Sequence, residues 1–339
     1  MARETYIIPE ILQAEAYRRA AEVINLFNTA GGGTILLENR PAIQAAGGEY
    51  TQTWRFKEIS GLFARLNHAD TGDLTPSSLV LAKGSSVRQK NAGAVKLTDD
   101  EMDTQAASAE AFSANVGAQF AEYQLRRIRD LLISAAVAAI DSADTPTANV
   151  HVLDVARGKT AGAKVKISMS YLNQLLAKMA DAREDIRAFL MPSAVFADLV
   201  TDQISNYKVD TVLGATFIND LPVAFGRRLI VADIPALTVS QTSGYYSKYN
   251  VLGLGPAALR GVVVKDTGIQ VQRELLPTVA YDLMRYDFDI DVFIRGMQWK
   301  PSGATPNPTD AQLATAANWD EDYEDHRHCP IVKGVFNAT

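Results

Sequence analysis

Apolar residues recur at three- and four-residue spacing through Ile11, Leu12, Ala16, Ala20, Val23, Ile24 and Phe27. That period, behind Pro9, predicts an amphipathic helix over residues 9–28. Gly31, Gly32 and Gly33 stop it and form a hinge. After Thr34 to Leu37, residues 45–98 lose helical periodicity and break often. They hold short strand-like pieces at Thr51 to Phe56, Ser78 to Ala82, Ser86 to Gln89 and Ala94 to Leu97. A few apolar residues there alternate with Arg55, Lys57, Arg88 and Lys90. Such a segment cannot build a core alone, so it predicts a projecting hairpin that leans on another surface.

The clearest helix follows. Thr98 or Asp99 can cap it, and Asp100, Glu101 and Asp103 put negative charge at its positive end. Met102, Ala106, Ala109, Phe112, Val116, Phe120, Tyr123, Ile128, Leu131, Leu132 and Ala135 then form one stripe to about Asp141. Unbroken, it would run roughly 60 Å at 1.5 Å per residue, with Gly117 as a plausible kink. From Thr145 short elements alternate. Lys164 to Ile167 reads as a strand, and Ser168 caps a helix carrying Leu172, Leu175 and Leu176. Arg187 to Met191 is a strand, and Pro192 and Ser193 open a further helix. Gly214 to Ile234 reads as a hairpin, with strands at Asn250 to Leu254, Gly261 to Lys265 and Ile269 to Arg273. Residues 286–299 alternate strictly: Phe288, Ile290, Val292 and Ile294 inward, Asp287, Asp289, Asp291 and Phe293 outward. The tail from Pro301 is rich in turns, and no internal repeat is visible.

Composition narrows the function. In 339 residues, 33 Lys and Arg against 39 Asp and Glu leave a net charge of −6, which disfavours nucleic acid as the main ligand. The one cysteine, Cys329, permits no internal disulfide and no cysteine-based metal cluster. No apolar run reaches the roughly 20 residues of a membrane span, and the N-terminus lacks a signal-peptide core. The expected place of synthesis is the cytoplasm, with no membrane partner.

Tests for chemistry return little. Gly158, Lys159 and Thr160 imitate the end of a P-loop, but Leu153 stands where its first glycine belongs. His326, His328 and Cys329 offer too few thiolates for a zinc site and read as a surface tail with a half-buried cysteine. Asp287, Asp289 and Asp291 form a like-charge row on one strand face, where carboxylate catalysis needs two groups in unlike environments across a cleft. Catalytic, cofactor and metal residues are therefore expected to be absent. Arg126, Arg127 and Arg129 read first as a solvated helix face, with contact to a neighbouring copy as the alternative. For Arg55, Lys57, Arg88 and Lys90 the intermolecular reading is preferred, because a hairpin without a core needs a partner.

The order of segments is arm, extended excursion, long helix, compact α/β region and return strand. It resembles the major capsid proteins of tailed bacteriophages, whose fold also builds encapsulins. Local wording agrees: Met191 to Leu199, Gly214, then Leu221 to Val223 and Ile230 to Pro235 resemble the axial-domain core of that family. Ile294 to Trp299, Asn307 to Trp319 and Asp325 to Pro330 resemble the carboxyl-terminal segment of one subgroup.

The resemblance implies an α+β tailed-phage capsid fold. Its parts would be an N-terminal arm (1–44), an extended loop (45–98), a peripheral domain with a spine helix (99–144 and 271–300), an axial domain (145–270) and a C-terminal tail (301–339). The loop would lie across the adjacent subunit. The implied function is a structural shell subunit forming hexamers and pentamers of an icosahedral head around a DNA genome. Implied partners are other copies, a scaffold protein, a portal, packaged DNA held non-specifically and, in some cases, decoration proteins. About 45 residues precede the loop, so a separate scaffold and a retained N-terminus are expected. The alternatives are an encapsulin-like compartment shell and a cytosolic carboxylate-dependent hydrolase.

Three expectations concern assembly. The apolar arm Ile11 to Phe27 needs external contacts. Trp54 and Phe56 anchor one face of the hairpin, with Arg55 and Lys57 on the other, while Arg88 and Lys90 lie across the same hairpin. These cations meet Asp287, Asp289 or Asp291 of the next subunit, so exchanging Arg55 and Arg88 for Glu should spare the monomer and lower particle yield.

Overall fold

The structure, a computed structural model, describes residues 8–39, 50–56, 81–98, 109–143, 150–156, 165–206, 215–218, 221–239, 247–275, 280–300, 307–323 and 325–338. Helix α1 (Pro9–Ala30) ends in a turn where Gly32 and Gly33 have positive φ of 61° and 74°, as the glycine run predicts. It leads into β1 (Ile35–Asn39), and then β2 (Tyr50–Phe56) and β3 (Leu81–Thr98). The spine helix α2 (Ala109–Ala143) has 35 residues and so is about 52 Å long. The capping residues expected at 98–99 and the stripe residues Met102 and Ala106 bear on a segment largely outside the described residues.

Gly117 is a packing position. A Cβ there would lie 2.3 Å from the Leu12 carbonyl oxygen, so glycine lets α1 cross α2 backbone to backbone. Leu12 is fully buried at that crossing and Ala20 is nearly so. This corrects the expectation that the apolar arm depends on external contacts, because α2 of the same chain covers these positions. Arg19 adds an exposed ion pair to Glu122 across the two helices.

Two large sheets follow. The first has the order β1-β11-β12-β3-β2, with β11 (Leu259–Leu275) and β12 (Ala280–Ile294) as its long central pair. The two strands expected at 261–265 and 269–273 are thus one strand, broken in register between Val263 and Lys265 and again between Asp266 and Ile269. β3 joins this sheet by pairing Val87 to Thr98 with Val292 to Tyr281. Only Leu81 to Val87 pairs with β2. The last part of the segment expected to project, residues 87–98, is therefore built into the body.

The second sheet has the order β4-β15-β10-β5-β8-β7-β6, with β9 (Thr238–Val239) beside β10. β4 (Val152–Asp154), β5 (Ala188–Met191), β8 (Arg227–Val231) and β10 (Lys248–Leu254) come from the axial segment, with β6 (Ala215–Ile218) and β7 (Leu221–Ala224). Lys164 lies outside the described residues, and Val165 to Ile167 takes no strand pairing among them. Helices α3 (Met169–Ala177) and α4 (Ser193–Asn206) start where predicted. The Ser168 hydroxyl accepts from the Tyr171 N–H, and the Asp233 carboxylate accepts from the Ser193 N–H.

β15 (Ile331–Asn337) is the element the turn-rich tail concealed. All seven residues are buried, between β10 on one side and β4 on the other. It closes a core with Phe189, Leu172, Leu175 and Phe336. Before it, the one-turn helix α5 (Asp310–Leu313) carries a Thr309–Gln312 capping box. β13 (Met297–Trp299) pairs with β14 (Trp319–Glu321), and the rings of Trp299 and Trp319 meet edge to face at 5.1 Å.

Candidate assembly interface

The residues predicted to serve assembly fall into two groups. Trp54, Arg55 and Phe56 lie on β2, opposite Lys83, Ala82 and Leu81 of β3. Their side chains, and all of Lys57, lie outside the described residues. Arg88 and Lys90 sit past the end of the β2 pairing, opposite Asp291 and Asp289 of β12 in their own chain.

That register corrects the role expected of Arg88 and Asp291. The Arg88 guanidinium donates to Asp291 through Nε at 2.8 Å and Nη2 at 3.2 Å, in a two-pronged pair. Asp291, predicted to face outward, is 3% exposed. Alternation put it on the polar face, where the Arg88 guanidinium of its own chain pairs with it. The pair holds Arg88 above the usual arginine range, chiefly through the bond to Asp291, with Asp289 a smaller contributor. Asp287 pairs instead with exposed Arg285, and Lys90 is exposed.

A second polar cluster ties the C-terminal segment to the same strand. Arg127 of α2 donates to both Asp310 oxygens at 2.5 and 2.6 Å and to Asn91 Oδ1 at 3.1 Å. The Gln89 amide donates to Asp310 Oδ1 and to the Pro308 carbonyl, both at 2.9 Å. The bond from Arg127 holds the Asp310 carboxyl below its ordinary range. The Lys90 N–H, turned away from β12, donates to Asn307 Oδ1 at 2.8 Å. Arg129 pairs with Asp130, while Arg126 is exposed and stacks over the Tyr123 ring. All three helix arginines therefore have a partner in their own chain.

Between β3 and the first half of α2 lies an open apolar groove of about 440 Å³. Ala92, Gly93, Ala94 and Val95 line one wall, and Phe112, Val116, Phe120 and Tyr123 the other. Tyr123, placed by periodicity on the buried stripe, is 65% exposed, and Val95 is 41% exposed. Past Val87, no strand pairs with the groove edge of β3 among the described residues. An apolar wall beside an unpaired strand edge is a surface shaped to take another chain.

Comparison with known proteins identifies the family. A family model described as Gp13-like, major capsid protein 13-like, matches residues 5–332. The chain belongs to that family. It is a major capsid protein of tailed phages, a component of the virion shell. The major capsid protein of Bacillus phage SPP1 is 22% identical over 330 residues, covering 94% of this chain and 93% of that one. The capsid of Ralstonia phage GP4 has a similar fold, with a TM-score of 0.56 at 10% identity over 92% of this chain and 89% of that one. The cyanophage Pam1 capsid follows at 0.53 and 12%, over 89% and 88%. The expected tailed-phage capsid fold is thereby shown, and neither the family nor these relatives favour the compartment-shell alternative.

The carboxyl-terminal histidines deserve placing too. His326 and His328 lie on a single 3₁₀ turn, and Cys329 is fully buried where a half-buried thiol was expected. Burial pushes its thiol up to about 12, so it stays protonated. Among the described residues no three His, Cys, Asp or Glu side chains are grouped to hold a metal ion.

Proposed function

We propose that this capsid protein assembles into hexamers and pentamers of an icosahedral head around DNA, and that the β2–β3 hairpin crosses onto the next subunit. The support is directional. The described end of the hairpin is the Phe56–Leu81 pair, while the groove begins at Asn91, ten residues further along the same strand. At about 3.3 Å per residue that end lies some 33 Å from its own groove. In a ring of identical copies the tip of one chain meets the groove side of another. Trp54, Arg55, Phe56 and Lys57 then bring anchors and charge to that contact, with exposed Lys90 and the Asp287 and Asp289 side of β12 as further polar partners. Arg88 and Asp291 are committed to each other and leave this set.

The protein works by self-association and carries no catalytic site in this reading. It assembles in the host cytoplasm with a separate scaffold and a portal, and decoration proteins are further candidates for its outer face. Light scattering and negative-stain microscopy of the purified full chain test the reading. Capsomers, shells or aberrant polymers are expected, and a monomer at every concentration overturns it. Mass spectrometry of virions tests the separate scaffold: a subunit keeping most of its N-terminus is expected, and loss of a long N-terminal segment refutes it.

A further inference from the structure

His151 lies just before β4 and is fully buried. Its Nδ1 sits 3.0 Å from the Ile331 carbonyl oxygen. A carbonyl only accepts, so Nδ1 carries the proton and donates. The backbone carbonyl of the same residue accepts from the Lys333 N–H at 2.8 Å. His151 thus grips β15 at its first and third residues. Beyond it, β4 pairs with β15 only at Lys333, Gly334 and Val335.

The other ring nitrogen, Nε2, is buried and makes no hydrogen bond among the described residues. The ring lies edge-on to Tyr323 at 5.7 Å and to His326 at 6.0 Å. The charges around it oppose a second proton. His326 and Lys178, past the end of α3, both disfavour the imidazolium. Among the described residues, the carboxylates around His326 are engaged elsewhere: Asp325 holds Arg327 and touches His326 at 3.3 Å, and Asp181 holds Arg327 at 2.9 Å. Exposed His328 shares that turn.

We infer that His151 is an acid-sensitive latch on the C-terminal strand, clamping the β4–β15 edge while its ring is neutral and releasing that edge when Nε2 gains a proton. The inference concerns the chain itself and stands whether or not the hairpin crosses between subunits.

Burial, partly opposed by the bond to Ile331, pulls His151 down from 6.5 to about 4. The sign follows. A histidine kept neutral by the fold gives its full stabilisation above its free value near 6.5, and loses it as pH falls from there toward 4. For an edge whose opening exposes the ring, linkage between these two values makes opening about 20-fold more favourable at pH 5 than at pH 7.

Hydrogen exchange on the assembled full-length protein reads this directly, after correction for the intrinsic pH dependence of exchange. Protection at Val152 to Asp154 and at Lys333 and Val335, the β15 positions facing β4, is expected to fall about 20-fold between pH 7 and pH 5, with amides around Leu132 of α2 unchanged. His151→Gln keeps an N–H donor and cannot gain the charge, so its profile should be flat. A flat wild-type profile, or an undiminished fall in His151→Gln, overturns the latch. Should that variant fail to fold, a histidine-selective NMR titration of the wild type decides: a ring titrating near 4 supports the latch, and one titrating near 6.5 refutes it.

Discussion

Leu131, Leu132, Ala135, Ala136 and Ile140, along the second half of α2, are all buried against the two sheets. About five turns earlier on the same helix, Phe112, Val116 and Phe120 are only half-buried, and Tyr123 stands 65% exposed. The apolar period is the same in both halves. The surroundings differ: the second half is packed against both sheets, while the first half is crossed by α1 at Gly117 and faces β3 only across the open groove. One continuous stripe can therefore be core at one end and interface at the other. The two ends should respond differently when altered.

The largest expected effect lies in the ion pair that roots β3. Arg88→Glu sets a second carboxylate against buried Asp291 and should cost about 3–5 kcal/mol, read by thermal or denaturant melting of the unassembled chain. The sequence alone predicts no such loss, so a normal melt would return Arg88 to the intersubunit set. Next, Leu132→Ala in the sealed half should cost about 2–5 kcal/mol, mostly through the cavity it opens. Gly117→Ala follows. Its methyl would press on the Leu12 carbonyl, and separating α1 from α2 should cost about 1–3 kcal/mol. The smallest change in chain stability belongs to Tyr123→Ser in the open half, within about 0.5 kcal/mol. That variant should nonetheless lower particle yield, scored by sedimentation at equal subunit concentration. Loss of stability at Tyr123 to match Leu132 would erase the difference between the halves.

Much of this fold was legible because local signals agreed with each other. The glycine run, the Ser168 cap, the spine stripe and the inward Phe288, Ile290, Val292 and Ile294 all mark their elements by period and turn chemistry. What escaped was long-range. Nothing in the wording of residues 331–337 says that β10 and β4 flank them, and turns at Pro301 to Pro308 suggested a tail. Gly117 read as a kink because a close helix crossing and a bend call for the same residue. Arg88 and Asp291 lie 203 positions apart, and only the β3–β12 register shows them opposite. His151 had no motif to single it out, since its role depends on a carbonyl 180 residues away.

The claim that the hairpin of one chain meets the groove of another is tested most directly by site-specific photocross-linking. A photoreactive residue replaces Arg55, and labelled and unlabelled subunits are mixed before assembly. The account predicts cross-linked peptides between differently labelled chains, landing on the Phe112 to Tyr123 stretch of α2 or on Ala92 to Val95 of β3. Cross-links confined to single chains, in particles that assemble normally, would contradict it.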